Sequence, residues 1–229
     1  MRRTLALVLA ATVLVAAKPG PAGPLLLNEA NFDPALLLPP PPADGSAIAK
    51  AELAALFVVD RTRTPAEEAR AKTDNRVKDV TIFAAIMGPG FDLDRLPATK
   101  ALFQTVRAEE KAAADRAKDH FLRNRPWIVD KTLHPCSTDD EPQSSYPSGH
   151  ATMGYAMAAV LADLVPTKAP AILARAADYG HSRLVCEMHF ASDVTAGQTY
   201  GMLIAERLMQ QPAFQAQFRA AAAELQSFH

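Results

Sequence analysis

From Ser46 onward, apolar residues recur at helical spacing among Ala, Leu, Glu, Lys and Arg, and strictly alternating β-branched runs are missing. The pattern therefore predicts helices and no sheet. Ser46 is placed to cap a helix running to about Val59. Thr64, Pro65 and Glu67 supply a cap, a first-position proline and a capping-box acid for a helix toward Met87, which Gly88-Pro89-Gly90 breaks. A long helix is predicted from near Leu96 to about Asn124, ended by the constraint that Pro126 places on its neighbour. Further helices are predicted from His150 to Leu164, from Lys168 to Tyr179 with Gly180 as the stop, from Ser192 to Met209, and from Pro212 to Gln226. The expected fold class is all-α: one helical, bundle-like domain over residues 46–229.

The chain before Ser46 is patterned differently. Arg2 and Arg3 precede an apolar run from Leu5 to Ala17 that ends in small residues, the pattern of a cleaved export signal over residues 1–17. The run falls short of the roughly 20 residues a spanning helix needs, so the mature protein is expected off the membrane, periplasmic or secreted. Residues 18–45 hold eight of the eighteen prolines, which predicts an extended arm carrying neither helix nor central strand. Leu25 to Leu27 and Leu36 to Leu38 are too apolar for a free linker, and at least the second cluster is expected to pack on the domain.

Composition narrows the classes of function. With 229 residues, 49% hydrophobic and 21% charged, the chain is an ordinary globular protein and not a disordered or low-complexity one. Lys and Arg number 24 against 25 Asp and Glu, a net charge of -1, which offers no broad basic surface to a nucleic-acid polymer. The two cysteines, Cys136 and Cys186, are expected to form a disulfide in an exported chain. Nothing decides the oligomeric state, although the apolar arm and the C-terminal helix could serve a homo-oligomer.

Three clusters carry candidate chemistry. Lys118 and Arg125 are seven apart, two helical turns, and so are expected on one face of the long helix. Pro147-Ser148-Gly149-His150 stands just before an apolar helical stretch, where free amides make an anion seat and Gly149 allows close backbone approach. Asp193 follows His189 by four residues and can reach its imidazole if a helix starts between them, with Arg183 nearby in sequence. Each cluster alone also fits a solvated face, a turn or a satisfied histidine. Metal ligation by His150, His189 and Asp193 is disfavoured by the absence of a further His or Cys at ligand spacing and by three cations, so no metal or other cofactor is expected. The disulfide would tie the clusters together, and fixed cations, helix-terminal amides and two histidines at one point describe a site for phosphoryl transfer.

Taken together, Lys118, six residues, Arg125-Pro126; Pro147-Ser148-Gly149-His150; and Ser182-Arg183, five residues, His189, three residues, Asp193 resemble the three-part signature of the type 2 phosphatidic acid phosphatase superfamily. Ser145-Tyr146-Pro147-Ser148-Gly149-His150, the paired cysteines, the signal and Leu37-Leu38-Pro39-Pro40-Pro41-Pro42 are similar to the bacterial class A non-specific acid phosphatases. The resemblance implies a metal-independent acid phosphatase of broad specificity for small phosphate monoesters. It implies His189 as nucleophile forming a phosphohistidine, Asp193 holding the imidazole, and His150 as general acid. Lys118, Arg125, Arg183 and the amides of Ser148 and Gly149 would bind the phosphoryl oxygens. A vanadium-dependent haloperoxidase shares the signature, and a non-catalytic phosphate-binding helical module is the rival from another class.

Overall fold

The computed structural model describes residues 25–226, and among these every regular element is helical. The expected export signal lies outside the described residues. Helix α1 spans Pro34–Leu37, α2 Ala47–Thr62 and α3 Pro65–Arg76; a 3₁₀ turn at Val80–Phe83 leads into α4, Ala84–Met87. Then follow α5 Pro97–Phe121, α6 Pro126–Val129, α7 Gly149–Leu164, α8 Ala169–Val185, α9 Ala191–Met209 and α10 Pro212–Gln226.

Several ends lie where their sequence signals put them. Ser46 Oγ accepts from the Ala49 amide at the start of α2. Thr64 and Glu67 close a reciprocal capping box on α3, with Pro65 in the first turn. Such a cap stabilises a helix by about 1 kcal/mol.

Four expectations need correction. The helix begun at Thr64 does not continue to Met87: it stops at Arg76. There Tyr179 Oη donates to the Val77 carbonyl at 2.6 Å, and Asp79 caps the separate 3₁₀ turn, so tertiary partners satisfy groups that a continuing helix would use. The long helix ends at Phe121, before Pro126 can act, because Leu122 adopts the left-handed conformation at φ 49°. Gly180 does not stop α8, which continues to Val185. It is interior because α8 and α9 lie close: a Cβ there would sit 3.3 Å from Val194 Cγ1. The Pro-rich arm does contain a helical turn, α1, since Asp33 caps it and Pro34 occupies a position whose N–H has no helical acceptor.

The arm lies on the bundle. The Leu26 and Leu27 amides donate to the buried carboxylate of Glu109 on α5, and Tyr146 Oη donates to the Pro39 carbonyl. Leu27 and Leu38 join the main core, whereas Leu36 points to solvent.

Helix α7 is the centre, apolar on nearly every side and packed most extensively on α9, then on α8. Gly197 and Gly201, one turn apart on α9, make this possible. A Cβ would fall 2.6 Å from the Ser148 carbonyl oxygen at the first and 2.4 Å from the Thr152 carbonyl oxygen at the second. The two backbones therefore touch, which sets the N-terminus of α7 beside that of α9. Among the described residues, no helix is long and apolar enough to cross a membrane.

Candidate active site

The close contact of α7 and α9 brings the signature segments to one cleft of about 880 Å³, lined among others by Lys118, Arg125, Gly149, His150, Met153 and His189. Lys118 comes from the last turn of α5. Arg125 does not share its helix, contrary to the seven-residue spacing: it follows the left-handed Leu122 and precedes α6. The two cations still meet, because the turn at Leu122 sends the chain back over the cleft.

A second reversal delivers His189. Cys136 and Cys186 form the expected disulfide, their Cα atoms 4.9 Å apart, and the Cys136 amide donates to the Cys186 carbonyl. In the chain-entropy account, closing a loop of this length contributes about 4 kcal/mol. Immediately after it, Glu187 lies in the left-handed region at φ 53°, a strained conformation for a residue with a side chain. Its buried carboxylate accepts from Arg63 at 2.6 Å and from the His134 amide at 2.7 Å, which fixes the turn.

His189 is held at both ring nitrogens. Nδ1 lies 2.8 Å from the Ser145 carbonyl oxygen, and Nε2 lies 2.9 Å from Arg125 Nη1. A carbonyl only accepts and a guanidinium only donates, so the proton sits on Nδ1 and Nε2 carries the lone pair. Asp193, at the start of α9, does not clamp the imidazole directly as expected. Its Oδ2 is 3.6 Å from Nδ1, beyond hydrogen-bond distance. Instead Oδ2 accepts from Ser145 Oγ at 2.6 Å and from the Phe190 amide at 2.8 Å, while Oδ1 accepts from Arg123 at 2.6 Å. Ser145 therefore joins the two: its hydroxyl serves Asp193 and its carbonyl serves His189.

His150 stands in the first turn of α7. Its Nε2 faces the Asn75 carbonyl oxygen at 3.2 Å, and its ring lies against Tyr179. Asn75 also receives Arg183 through its side-chain oxygen at 2.6 Å. Arg183 is completely buried near the end of α8, and its Nε and Nη2 have no hydrogen-bond partner in the protein. Next to it, Asp74 binds Arg175 through both oxygens and accepts from Ser182, anchoring α3 to α8.

The anion seat differs from expectation in one amide. The Ser148 N–H donates to the Asp193 carbonyl at 2.9 Å and is not free for a ligand, because the α7–α9 contact claims it. Ser148 Oγ caps α7 by accepting from the Ala151 amide. The amides of Gly149 and His150, in the first turn, are the ones with no acceptor inside the helix. A Cβ on Gly149 would stand 3.3 Å from Lys118 Nζ, so its absence makes room for the ammonium.

Electrostatically the site is a crowd of buried cations. Burial first, then Arg125, brings Lys118 down to about 8. Burial brings Arg183 down to about 10. Both histidines lie well below the usual imidazole value, chiefly through burial, then through Arg183 for His150 and Arg125 for His189. Burial pushes Asp193 up to about 6 against the pull of Arg123 and three hydrogen bonds. A dianion among these groups would relieve the mutual repulsion of the cations.

Sequence reasoning missed Arg123, Asn75 and Ser144, whose Oγ accepts from Arg125 Nε and Nη2. The only signal for Arg123 was its place two residues before Arg125; nothing marked Asn75, which acts partly through its backbone.

Residues 101–216 match the PAP2 superfamily, a stretch that contains both histidines, Asp193, Lys118, Arg125 and Arg183. An acid phosphatase of Zymomonas mobilis is 33% identical over 174 residues, which are 73% of this chain and 66% of the relative. A non-specific acid phosphatase of Providencia stuartii is 31% identical over 207 residues, 86% of this chain and 82% of its own length. Another, from Salmonella typhimurium, is 29% identical over 198 residues, covering 82% and 78%.

Proposed function

Because the chain belongs to the PAP2 superfamily, we propose that it is an acid phosphatase that hydrolyses small phosphate monoesters through a phosphohistidine on His189, without a metal ion. The observation that carries this reading is Arg183: a fully buried guanidinium with two unpartnered nitrogens, set among Lys118, Arg125 and two histidines. A buried cation left so is costly unless a ligand completes it, and the ligand that suits this set is a phosphoryl group. At an effective dielectric of about 20, each cation at contact distance contributes on the order of 4 kcal/mol of attraction before desolvation.

The geometry supports the following steps. Arg125 turns its N–H from His189 Nε2 to a phosphoryl oxygen, which frees the lone pair for in-line attack. The Nε2–P bond forms and the P–O bond to the leaving group breaks. His150 gives its proton to the departing oxygen. Water then attacks phosphorus, His150 takes the water proton, and the Nε2–P bond breaks to release phosphate. Burial, then Arg183, holds His150 well below the usual imidazole value, so the proton it donates is gained as the anion binds, and acidic solution favours that state. The disulfide supports an oxidising, exported location for the chain.

The test is release of nitrophenol from nitrophenyl phosphate at acidic pH, with and without EDTA, and trapping of the labelled phosphoenzyme. The expected result is turnover that survives the chelator and an acid-labile phosphate on His189. Absence of turnover, or label elsewhere, overturns the reading.

A further inference from the structure

Two arginines grip the His189–Asp193 pair, and only one of them faces the cleft. Arg125 meets His189, whereas Arg123, two residues earlier, meets Asp193 from behind and is 6% exposed. Arg123 Nη1 donates to Asp193 Oδ1 at 2.6 Å and to Ser192 Oγ at 2.7 Å; Nη2 donates to Glu52 Oε2 at 2.8 Å. Glu52 closes the ring by accepting the Ser192 amide through Oε1 at 2.6 Å. The guanidinium also lies over the Phe190 ring, its Cζ 4.4 Å from the centroid, so it cannot swing without leaving both partners. Glu52 belongs to α2, outside the stretch that matches the superfamily.

We propose that Arg123, braced by Glu52, is a positioning residue for the nucleophile: it aims the Asp193 carboxylate so that Ser145, held by Asp193, presents its carbonyl to His189 Nδ1. The chain of contacts is continuous, from Glu52 through Arg123, Asp193 and Ser145 to His189. Each link has one correct polarity. If Asp193 took up a proton, it could no longer accept from all of Arg123, Ser145 and the Phe190 amide, and the Ser145 link would loosen. The charged groups facing this chain are Arg123 and Glu52 behind, and Arg125, Arg183 and Lys118 beyond His189. Neither Arg123 nor Glu52 lines the cleft, so the clamp acts on turnover and not on phosphate binding.

The proposal rests on the phosphatase reading, and one experiment separates the two. Wild type, Arg123→Gln, Arg123→Lys and Glu52→Gln are assayed with nitrophenyl phosphate across pH, with inorganic phosphate as competitive inhibitor. Arg123→Gln is expected to lower kcat about 30-fold or more while the phosphate inhibition constant changes less than about threefold. Its acid limb of kcat/KM is expected to move up by about one pH unit, since the carboxylate loses its counter-charge. Arg123→Lys keeps the charge without the fork, and should restore the limb but only part of kcat. Glu52→Gln should cost about three- to tenfold in kcat alone. If circular dichroism shows that Arg123→Gln does not fold, Glu52→Gln decides. Wild-type kcat in the folded decisive variant, or a loss confined to phosphate affinity, overturns the clamp. An inactive wild type overturns the phosphatase reading instead.

Discussion

The surroundings of His189 and of His150 differ more than their burial suggests. Both rings lie within the cleft, and burial depresses both. Yet His189 is gripped at 2.8 and 2.9 Å on its two nitrogens, behind a disulfide, a left-handed Glu187 and the Asp193–Arg123 pair. His150 has one contact of 3.2 Å to a backbone carbonyl and a ring neighbour in Tyr179. A nucleophile needs one tautomer and one direction, because its lone pair must meet phosphorus in line. A proton donor that must later become an acceptor gains from a looser hold. On the proposed mechanism the rigid side orients, and the looser side exchanges.

Removing each ring in turn breaks this comparison most directly. His189→Ala is expected to lose about 10⁴-fold or more in kcat for aryl and alkyl phosphates alike, since no other group supplies the attacking lone pair. His150→Ala should lose about 10³-fold on alkyl phosphates but only about tenfold in forming the phosphoenzyme from aryl esters, whose leaving group needs little protonation. The aryl ester should therefore show a burst of nitrophenol in the His150 variant, because hydrolysis of the intermediate still lacks its base. Rapid-quench kinetics on both esters would measure this. Equal losses on both esters for both variants would erase the division of roles.

The two neighbourhoods differ in how far the sequence announced them. The helices that carry the site were legible where a local device sets them: Ser46 and Thr64 cap their helices through their own side chains, and the apolar runs of α9 and α10 show their period. The signature residues could be picked out because the proposed phosphoryl chemistry restricts the residue types that would serve it. What could not be read is where long-range partners override local propensity. Leu122 and Glu187 take left-handed conformations that no glycine or asparagine foretells, and Asn75 offers a carbonyl that any residue would have. Gly180, a stop signal in isolation, is an α8–α9 spacer in the fold. The same limit hid the direct partner of His189, since a four-residue spacing says that Asp193 can approach but not that Ser145 stands between.

Acidity sharpens the contrast with a smaller effect, because each limb of the pH profile belongs to a different side. On the His189 side, Asp193 is raised to about 6, so its charged, accepting form prevails above that value and is lost as pH falls through it. On the His150 side, Lys118 is lowered to about 8, so its cationic form prevails below that value and is lost as pH rises through it. The kcat/KM profile, already falling with pH because His150 must gain a proton, should therefore steepen above about 8, and Lys118→Arg should push that steepening upward. An unchanged alkaline limb in that variant would assign it to another group.

The smallest expected effect comes from one methyl group beside Lys118. In Gly149→Ala the new Cβ would lie 3.3 Å from Nζ and 3.8 Å from Cε of Lys118, the far end of a flexible side chain that can retreat by a few tenths of an ångström. The helix gains a better former in its first turn, so the fold should hold. What suffers is the cation's reach to a phosphoryl oxygen, and KM should rise about three- to tenfold with kcat changed less. Gly201→Ala makes the complementary case: its Cβ would meet the Thr152 carbonyl oxygen at 2.4 Å, a backbone atom of α7 that cannot step aside without moving the helix that carries His150. Thermal melts should show a clear loss for Gly201→Ala and almost none for Gly149→Ala, while steady-state kinetics should show the KM change in Gly149→Ala. Comparable melting losses in both would mean that the phosphate seat is held by the same rigid contact as the helix pair, and that the looser side of the cleft is not loose at all.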